Sequence, residues 1–438
     1  MMSKRFWCEI MSKQKKTVND INWEKIFQKY DVLDHITSNG EFRILAKQIK
    51  EFREPRLMAK ADNHESLPNI FKDNKLGILP ISRSEYLISS FNLYNEIQKI
   101  NSEIKQVIFP SYIQSLDAKS LTSETMAINV AMAAGVFEDF LSEEGLVPTV
   151  SGRMSTGAFS FTIKSNNGVF SHHISVNNSQ IEIDAAFEGF DSLTLVEAKL
   201  YTAPDFLIRQ LYYPFRTWVN RLRKKVRTIF VVFSNGIFNL YEYHFTDPSD
   251  YNSISLIKSM RYSIDDTRIT IEDIEKIANE LEPVNEPRVP FPQADRFDRV
   301  IDLCTNLFNQ DKSLEKISWE YGFDIRQAHY YSNAATYLGL VEKNTDTGSA
   351  LFSLTKSGKR IFSLNYKDRQ LALCNRILEH KVFIEVYRLT LQKTPTIQEI
   401  VSIMKSNYIF NVRREETYMR RAQTIRSWIN WIFSLVEP

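Results

Sequence analysis

The chain has 438 residues, 43% of them hydrophobic and 25% charged, ordinary values for a soluble globular protein of two to four domains. Its formal net charge of +2 settles no partner, because only local clusters of Lys and Arg make an electrostatic footprint. Cys8, Cys304 and Cys374 are too scattered for a zinc site or a disulfide framework, no apolar run approaches the roughly 20 residues of a membrane span, and the basic N-terminus lacks the apolar core of a signal peptide, so a cytoplasmic protein with reduced thiols and no membrane association is expected.

In chain order, INWEKIFQKY and FRILAKQIKEF carry apolar residues at helical spacing, and the stretch from Arg53 to Leu87 reads as loops with short strands. Residues 121–145 predict one alanine-rich helix, capped by Ser123 and ended by Gly145. The period then changes to two. AFSFTIKS, VFSHHISV, IEIDAAFE and LTLVEAKL, separated by turn-forming residues, predict an antiparallel meander. A helix from Asp205 to Arg223 follows, then strands RTIFVVFS and IFNLYEYHF around the turn Asn235-Gly236. The proline-rich stretch 283–295 reads as a linker, and the remainder is mainly helical.

Asp184 sits inside one of these apolar strands, with Glu197 and Lys199 two apart in the next. Side chains at i and i+2 share a face, so Glu197 and Lys199 point one way while Val196, Ala198 and Leu200 point the other. A hairpin of this length brings Asp184 near Glu197. Two carboxylates and an ammonium suit phosphodiester hydrolysis: the carboxylates are hard oxygen ligands for Mg²⁺, and the lysine orients water or stabilises the charged transition state. Without a metal, the same residues would make an ordinary cross-strand ion pair. No HExxH, GxxxxGK[ST] or GxGxxG occurs, which removes those metalloprotease and nucleotide-binding classes.

Ile183-Asp184 followed by Glu197-Ala198-Lys199, on consecutive strands before a helix, resembles the catalytic signature of the PD-(D/E)XK nuclease superfamily, with Ile183 where that signature has proline. The likeness spans roughly residues 120–246. It implies Asp184 and Glu197 as metal ligands and Lys199 as the catalytic lysine. It also implies a helical glutamate, for which Glu124 and Glu138 compete, and a glutamine on the following helix, Gln210, although the QxxxY spacing is not kept at Tyr212 and Tyr213. Arg209 and Arg216 on that helix are candidate phosphate contacts or solvated surface.

RFDRVIDLCTNLF, SLEKISWEYGF and IRQAHYYSNAATYLGLV predict three helices, the second ended by Gly322 and the third by Gly339. They are followed by two strands flanking a Thr, Asp and Gly turn, and the order resembles a winged helix. On the third helix Ala328, Ala335 and Leu338 are expected to face the core, with Arg326, Gln327, Tyr330 and Asn333 facing out to read base edges or to contact a protein. The last helix has an apolar stripe at Ile425, Trp428, Ile429 and Ile432, and is expected to turn Arg420, Arg421, Gln423, Thr424 and Ser427 outward as a second DNA reader.

The expected fold class is therefore an α/β (α+β) PD-(D/E)XK core with a mainly helical winged-helix C-terminal region, in a multidomain chain. The expected division is an N-terminal recognition region at 1–118, a nuclease domain at 119–282, a winged helix at 296–365 and a second helix-turn-helix segment at 366–438. The resemblance implies a Mg²⁺-dependent, sequence-specific double-stranded DNA endonuclease of the type II restriction kind, a homodimer with a cognate DNA methyltransferase as its genetic partner. A repair or modification-dependent nuclease and a non-catalytic DNA-binding regulator are the alternatives.

Overall fold

The computed structural model describes residues 16–118, 121–321, 325–344 and 350–436. Cys8, Gly322 and the turn at 345–349 predicted between the two C-terminal strands lie outside the described residues.

The first elements are α1 (Val18–Lys29), α2 (Val32–Asn39), β1 (Phe42–Leu45), α3 (Ala46–Lys50), α4 (Pro55–Met58), α5 (Asn69–Asp73), β2 (Gly77–Pro80) and β3 (Glu85–Ser89). Thr17 and Asp20 form a reciprocal cap at the start of α1. Trp23, Phe27 and Phe71 meet edge to face in a small core. FRILAKQIKEF is helical only in its second half. Phe42 to Leu45 pair with β3 instead, because the sheet partner outweighs local periodicity.

The central elements are β4 (Tyr94–Glu96), β5 (Ile104–Gln106), α6 (Glu124–Ala133), α7 (Val136–Leu141), β6 (Val147–Ser155), β7 (Ala158–Lys164), β8 (Ser171–Asn177), β9 (Gln180–Glu188), β10 (Ser192–Lys199), β11 (Asp205–Leu207), α8 (Arg209–Val219), β12 (Lys225–Ser234), β13 (Ile237–Phe245) and β14 (Ile254–Ser263). A seven-stranded sheet runs β5-β14-β13-β12-β10-β9-β6. β10 and β12 are parallel, with α8 in the crossover between them, and β14 and β5 are parallel at one edge. Both faces are covered. Val196, Ala198, Ile229 and Val231 pack on α6 and α7, while Leu193, Leu195, Phe230 and Val232 pack with α8 and the β7–β8 hairpin. This double burial explains why β10 carries no exposed residue along its length.

Several local expectations change. The helix over 121–145 is two, broken at Gly135, whose φ of +71° starts a new helix at Val136, and the second ends at Leu141 rather than at Gly145. The four strands are not one meander: β7 and β8 form a two-stranded sheet of their own, whereas β9 pairs with β10 and with β6. β6 is an edge strand with Pro148 in it and register shifts around Val150, so its alternation is obscured in the sequence. The helix expected from Asp205 opens as the short strand β11, paired with β4. Asn235 and Gly236, both at positive φ, make the hairpin turn between β12 and β13 as expected.

The remaining elements are α9 (Ile271–Glu280), α10 (Phe297–Leu307), β15 (Lys312–Ser313), α11 (Leu314–Tyr321), α12 (Ile325–Tyr337), β16 (Val341–Asn344), β17 (Leu351–Leu354), α13 (Lys356–Phe362), α14 (Tyr366–Leu378), α15 (Lys381–Gln392), α16 (Ile397–Ser406) and α17 (Glu415–Ser434). Strands β15, β17 and β16 form a three-stranded sheet beside α10 to α12. Their buried residues join those of α9 and α14 to α17 in one continuous core. The proline-rich stretch has no regular structure, but it is packed: Phe291 and Ala294 are buried, and the Trp428 indole N–H donates to the Ala294 carbonyl at 2.7 Å. No helix among the described residues is long and apolar enough to cross a membrane.

Candidate functional site

The β9–β10 hairpin sets the centre of the site. Glu143 pins its turn, accepting from the Asp191 N–H at 2.9 Å and the Ser192 hydroxyl at 2.6 Å. The approach is close enough that a Cβ at Gly189 would lie 2.1 Å from Glu143 Oε1. Pairing along the hairpin stops at Ala185 opposite Val196. Asp184 and Glu197 are the next residues on the two strands, where they part. The Ala198 N–H, released from the ladder, donates to Asp184 Oδ2 at 2.8 Å.

Glu197 and Lys199 are buried, at 7% and 8% exposure, and Lys199 Nζ donates to Glu197 Oε1 at 2.5 Å. Gln210, in the first turn of α8, donates its amide N–H to the same oxygen. Glu124, in the first turn of α6 below the Ser123 cap, brings Oε1 to 3.8 Å from Lys199 Nζ. The five residues expected in the catalytic group, Asp184, Glu197, Lys199, Gln210 and Glu124, are therefore neighbours. Glu138 is elsewhere, accepting from the Gly145 N–H at 3.0 Å, so the competition between the two helical glutamates resolves geometrically to Glu124.

A further carboxylate, Asp62, comes from the N-terminal segment. Its carbonyl accepts from the Leu207 N–H at 2.8 Å, and the His64 N–H donates to Asp205 Oδ1 at 2.7 Å, which ties this segment to β11. The Asp62 charge acts on Glu124, Asp184 and Lys199. No local signal in the sequence marks it, since it arrives from more than 100 residues upstream by packing alone.

Carboxyl groups outnumber cations at this site, with Asp184, Glu197, Glu124 and Asp62 acting on Lys199. Burial, reinforced by Asp184, pushes the Glu197 carboxyl well above the usual carboxylate range despite its hydrogen bonds. Burial likewise raises Asp184 and Glu124, with Lys199 working against it. Burial opposes the charge on Lys199, but Glu197, Glu124, Asp62 and Asp184 together hold its ammonium well above the ordinary lysine range. Among the described residues no group of three or more His, Cys, Asp or Glu is set to hold a metal ion. A divalent cation would take its carboxylate ligands from the pair Asp184 and Glu197, which the Ala198 N–H and Lys199 hold in place. Magnesium is commonly held by one or two carboxylates while keeping its waters. Two features fit it: the excess of carboxyl groups over cations, whose ionised forms a cation would favour, and Gln210 Oε1, a buried acceptor with no donor to it among the described residues.

Other residues of α8 serve the fold. The Tyr212 and Tyr213 hydroxyls donate to the carbonyls of Pro248 and Pro80, and both rings are fully buried. Arg216 donates to the Ser160 carbonyl and lies over the Phe159 ring, so it is not a free phosphate contact. Arg209 lies over the Tyr213 ring.

On α12, Ala328, Ala335 and Leu338 are buried as expected and Arg326 is exposed. Gln327 is half-buried and accepts from Arg299 Nη1 at 3.2 Å, while Tyr330 and Asn333 are half-buried at the surface. Arg326, Tyr330 and Asn333 share a cleft of about 380 Å³ with Arg421 of α17. Buried Nε and Nη1 atoms of Arg421 have no acceptor among the described residues. Arg420 and Gln423 are exposed. Thr424 corrects the expectation: it is fully buried and donates to Asp295 Oδ1 at 2.6 Å, because the proline-rich stretch packs on that side of α17.

Three family profiles match the chain, each described as a domain of unknown function: DUF6996 over residues 20–88, DUF6997 over 89–263 and DUF7226 over 299–437. No curated protein and no solved structure matches. Asp184, Glu197, Lys199, Gln210 and Glu124 fall in the second of these spans, Asp62 in the first, and both predicted reading helices in the third.

Proposed function

We propose that the protein is a Mg²⁺-dependent endonuclease of the PD-(D/E)XK type that cuts double-stranded DNA at specific sequences, in the manner of a type II restriction enzyme. The observation that carries this reading is the convergence of Asp184, Glu197, Lys199 and Gln210 on one end of a sheet whose β10 and β12 are parallel across α8.

Bound between Asp184 and Glu197, magnesium would lower the pKa of a water and offset charge on the phosphoryl group. The protein's own residues do the rest. The Ala198 N–H fixes the rotamer of Asp184. Gln210 and Lys199 hold one oxygen of Glu197 and leave the other free of them. Lys199, kept protonated by the surrounding carboxylates, supplies a positive charge to offset the negative charge that develops on the phosphoryl oxygens. α10 to α12 with β15 to β17 have the element order of a winged helix, and Arg326, Tyr330 and Asn333 with Arg421 offer one DNA-reading face contributed by two helices. A homodimer and a companion methyltransferase go with this reading, since cutting two strands at a symmetric site takes two centres.

The test is cleavage of unmethylated and methylated phage DNA with Mg²⁺ or EDTA, beside Asp184→Ala. Discrete fragments that need Mg²⁺ and are lost by at least about 1,000-fold in the variant are expected. A smear would favour a repair-type nuclease. Tight binding with no cutting on any substrate would leave a DNA-binding regulator.

A further inference from the structure

A cleft of about 390 Å³ lies beside the carboxylate site, between the N-terminal segment and α11. The two share a wall. Asp62 and Tyr201 line the cleft, while the Asp62 charge acts on Lys199 and Tyr201 is two residues beyond it on the chain. The opposite side presents Trp319 of α11, a ring left 46% exposed in a protein that buries most of its aromatic residues. Lys60 Nζ stands 5.0 Å from that ring and 3.6 Å from Asp62 Oδ2.

The charge of the cleft says which part of a nucleotide it can take. Its wall sets Asp62, Glu65 and Glu315 beside Lys16, Arg53 and Lys60, and Arg299 already holds Glu65, so it has no excess of cations to draw a phosphate in. A flat, uncharged group needs none. An aromatic ring offers it a stacking surface, and a carboxylate accepts from an exocyclic amino group. The volume exceeds what a single base needs.

We propose that this cleft receives an amino-bearing nucleobase, cytosine or adenine, swung out of the duplex and stacked on Trp319, while the phosphate beside it lies at Asp184 and Lys199. The inference rests on the nuclease reading and adds to it that the substrate is unstacked next to the cut. The aromatic ring on one side, and on the other Lys199 with the magnesium that Asp184 and Glu197 would hold, then sort base from phosphate.

The test uses the full-length protein on a duplex that it cuts, with an abasic nucleotide substituted in turn at each position flanking the scissile phosphate. Trp319→Ala is expected to lower kcat/KM on the intact duplex by about 10- to 100-fold, the range of one base–aromatic stack. Trp319→Phe should restore most of it. At one flanking position the abasic duplex should be cut equally by wild type and Trp319→Ala, because the base that used the ring is gone. Equal cutting of the intact duplex by wild type and Trp319→Ala would overturn the inference alone, as would the same loss on every abasic duplex. A wild-type protein that cuts no DNA overturns the nuclease reading and this inference together.

Discussion

One oxygen of Glu197 accepts from both Lys199 and Gln210, so the position of this carboxylate depends on two donors from different elements. Removing the amide while keeping the side chain's bulk tests that dependence. Gln210→Leu is expected to lower cleavage by about 10- to 100-fold, typical of groups that orient a metal-binding residue, with an unchanged melting temperature. Glu138→Gln, measured in parallel, should cut as wild type does, since Glu138 only caps the Gly145 N–H. Asp184, Glu197 and Lys199 were legible in the sequence because a strand's period of two and one short hairpin bring them together with no tertiary information. Gln210 was reachable through the resemblance. Asp62 was not, because its place depends on the Asp62 carbonyl meeting the Leu207 N–H across a fold that no local pattern encodes.

Elements were legible where burial imposes a period and obscured where it does not. β10 and β12 are legible because LTLVEAKL and RTIFVVFS are dense in Leu, Val, Ile and Phe between turn-forming residues, whereas β14 has many half-buried positions along ISLIKSMRYS and carries no such signal. The Ala-rich run at α6 hid the break at Gly135, since alanine's helix propensity says nothing about a left-handed residue beside it. For α17 the apolar stripe at Trp428 and Ile432 was right, but the proline-rich stretch widens the buried face to include Thr424. The two sides of this helix should separate by experiment. Arg421→Ala is expected to weaken DNA binding by about 10-fold with the fold intact, as befits one lost charge-assisted contact. Thr424→Ala should leave affinity near wild type but cost about 1–2 kcal/mol of stability through its hydrogen bond to Asp295. Fluorescence anisotropy and urea midpoints on both variants check the pair.

At the scale of the whole molecule, the N-terminal segment is held from two directions. β11 takes its backbone at Asp62 and His64, and Arg299 of α10 reaches it at Glu65, 2.9 Å away. Arg299 is 2% exposed and also donates to Gln327. Deleting a partner of a buried charge costs more than the pair itself contributes. Glu65→Ala is therefore expected to cost about 3 kcal/mol and to speed proteolysis within residues 50–90, measured by urea unfolding and timed digestion. Cleavage should fall with it, because Asp62 sits beside the site only while this segment is docked. The edges of the central sheet bear on how two copies could meet. β5 contributes three residues at one end, and β6 at the other is interrupted by Pro148, which has no N–H, and by register shifts on either side of Val150. Neither margin offers a straight ladder to a neighbour. Such short or interrupted borders disfavour both the extension of one subunit's sheet into another's and fibrous stacking at high concentration. On the proposed reading, a pair working on opposite strands would then meet through helices or loops rather than through the strands that carry Asp184 and Glu197.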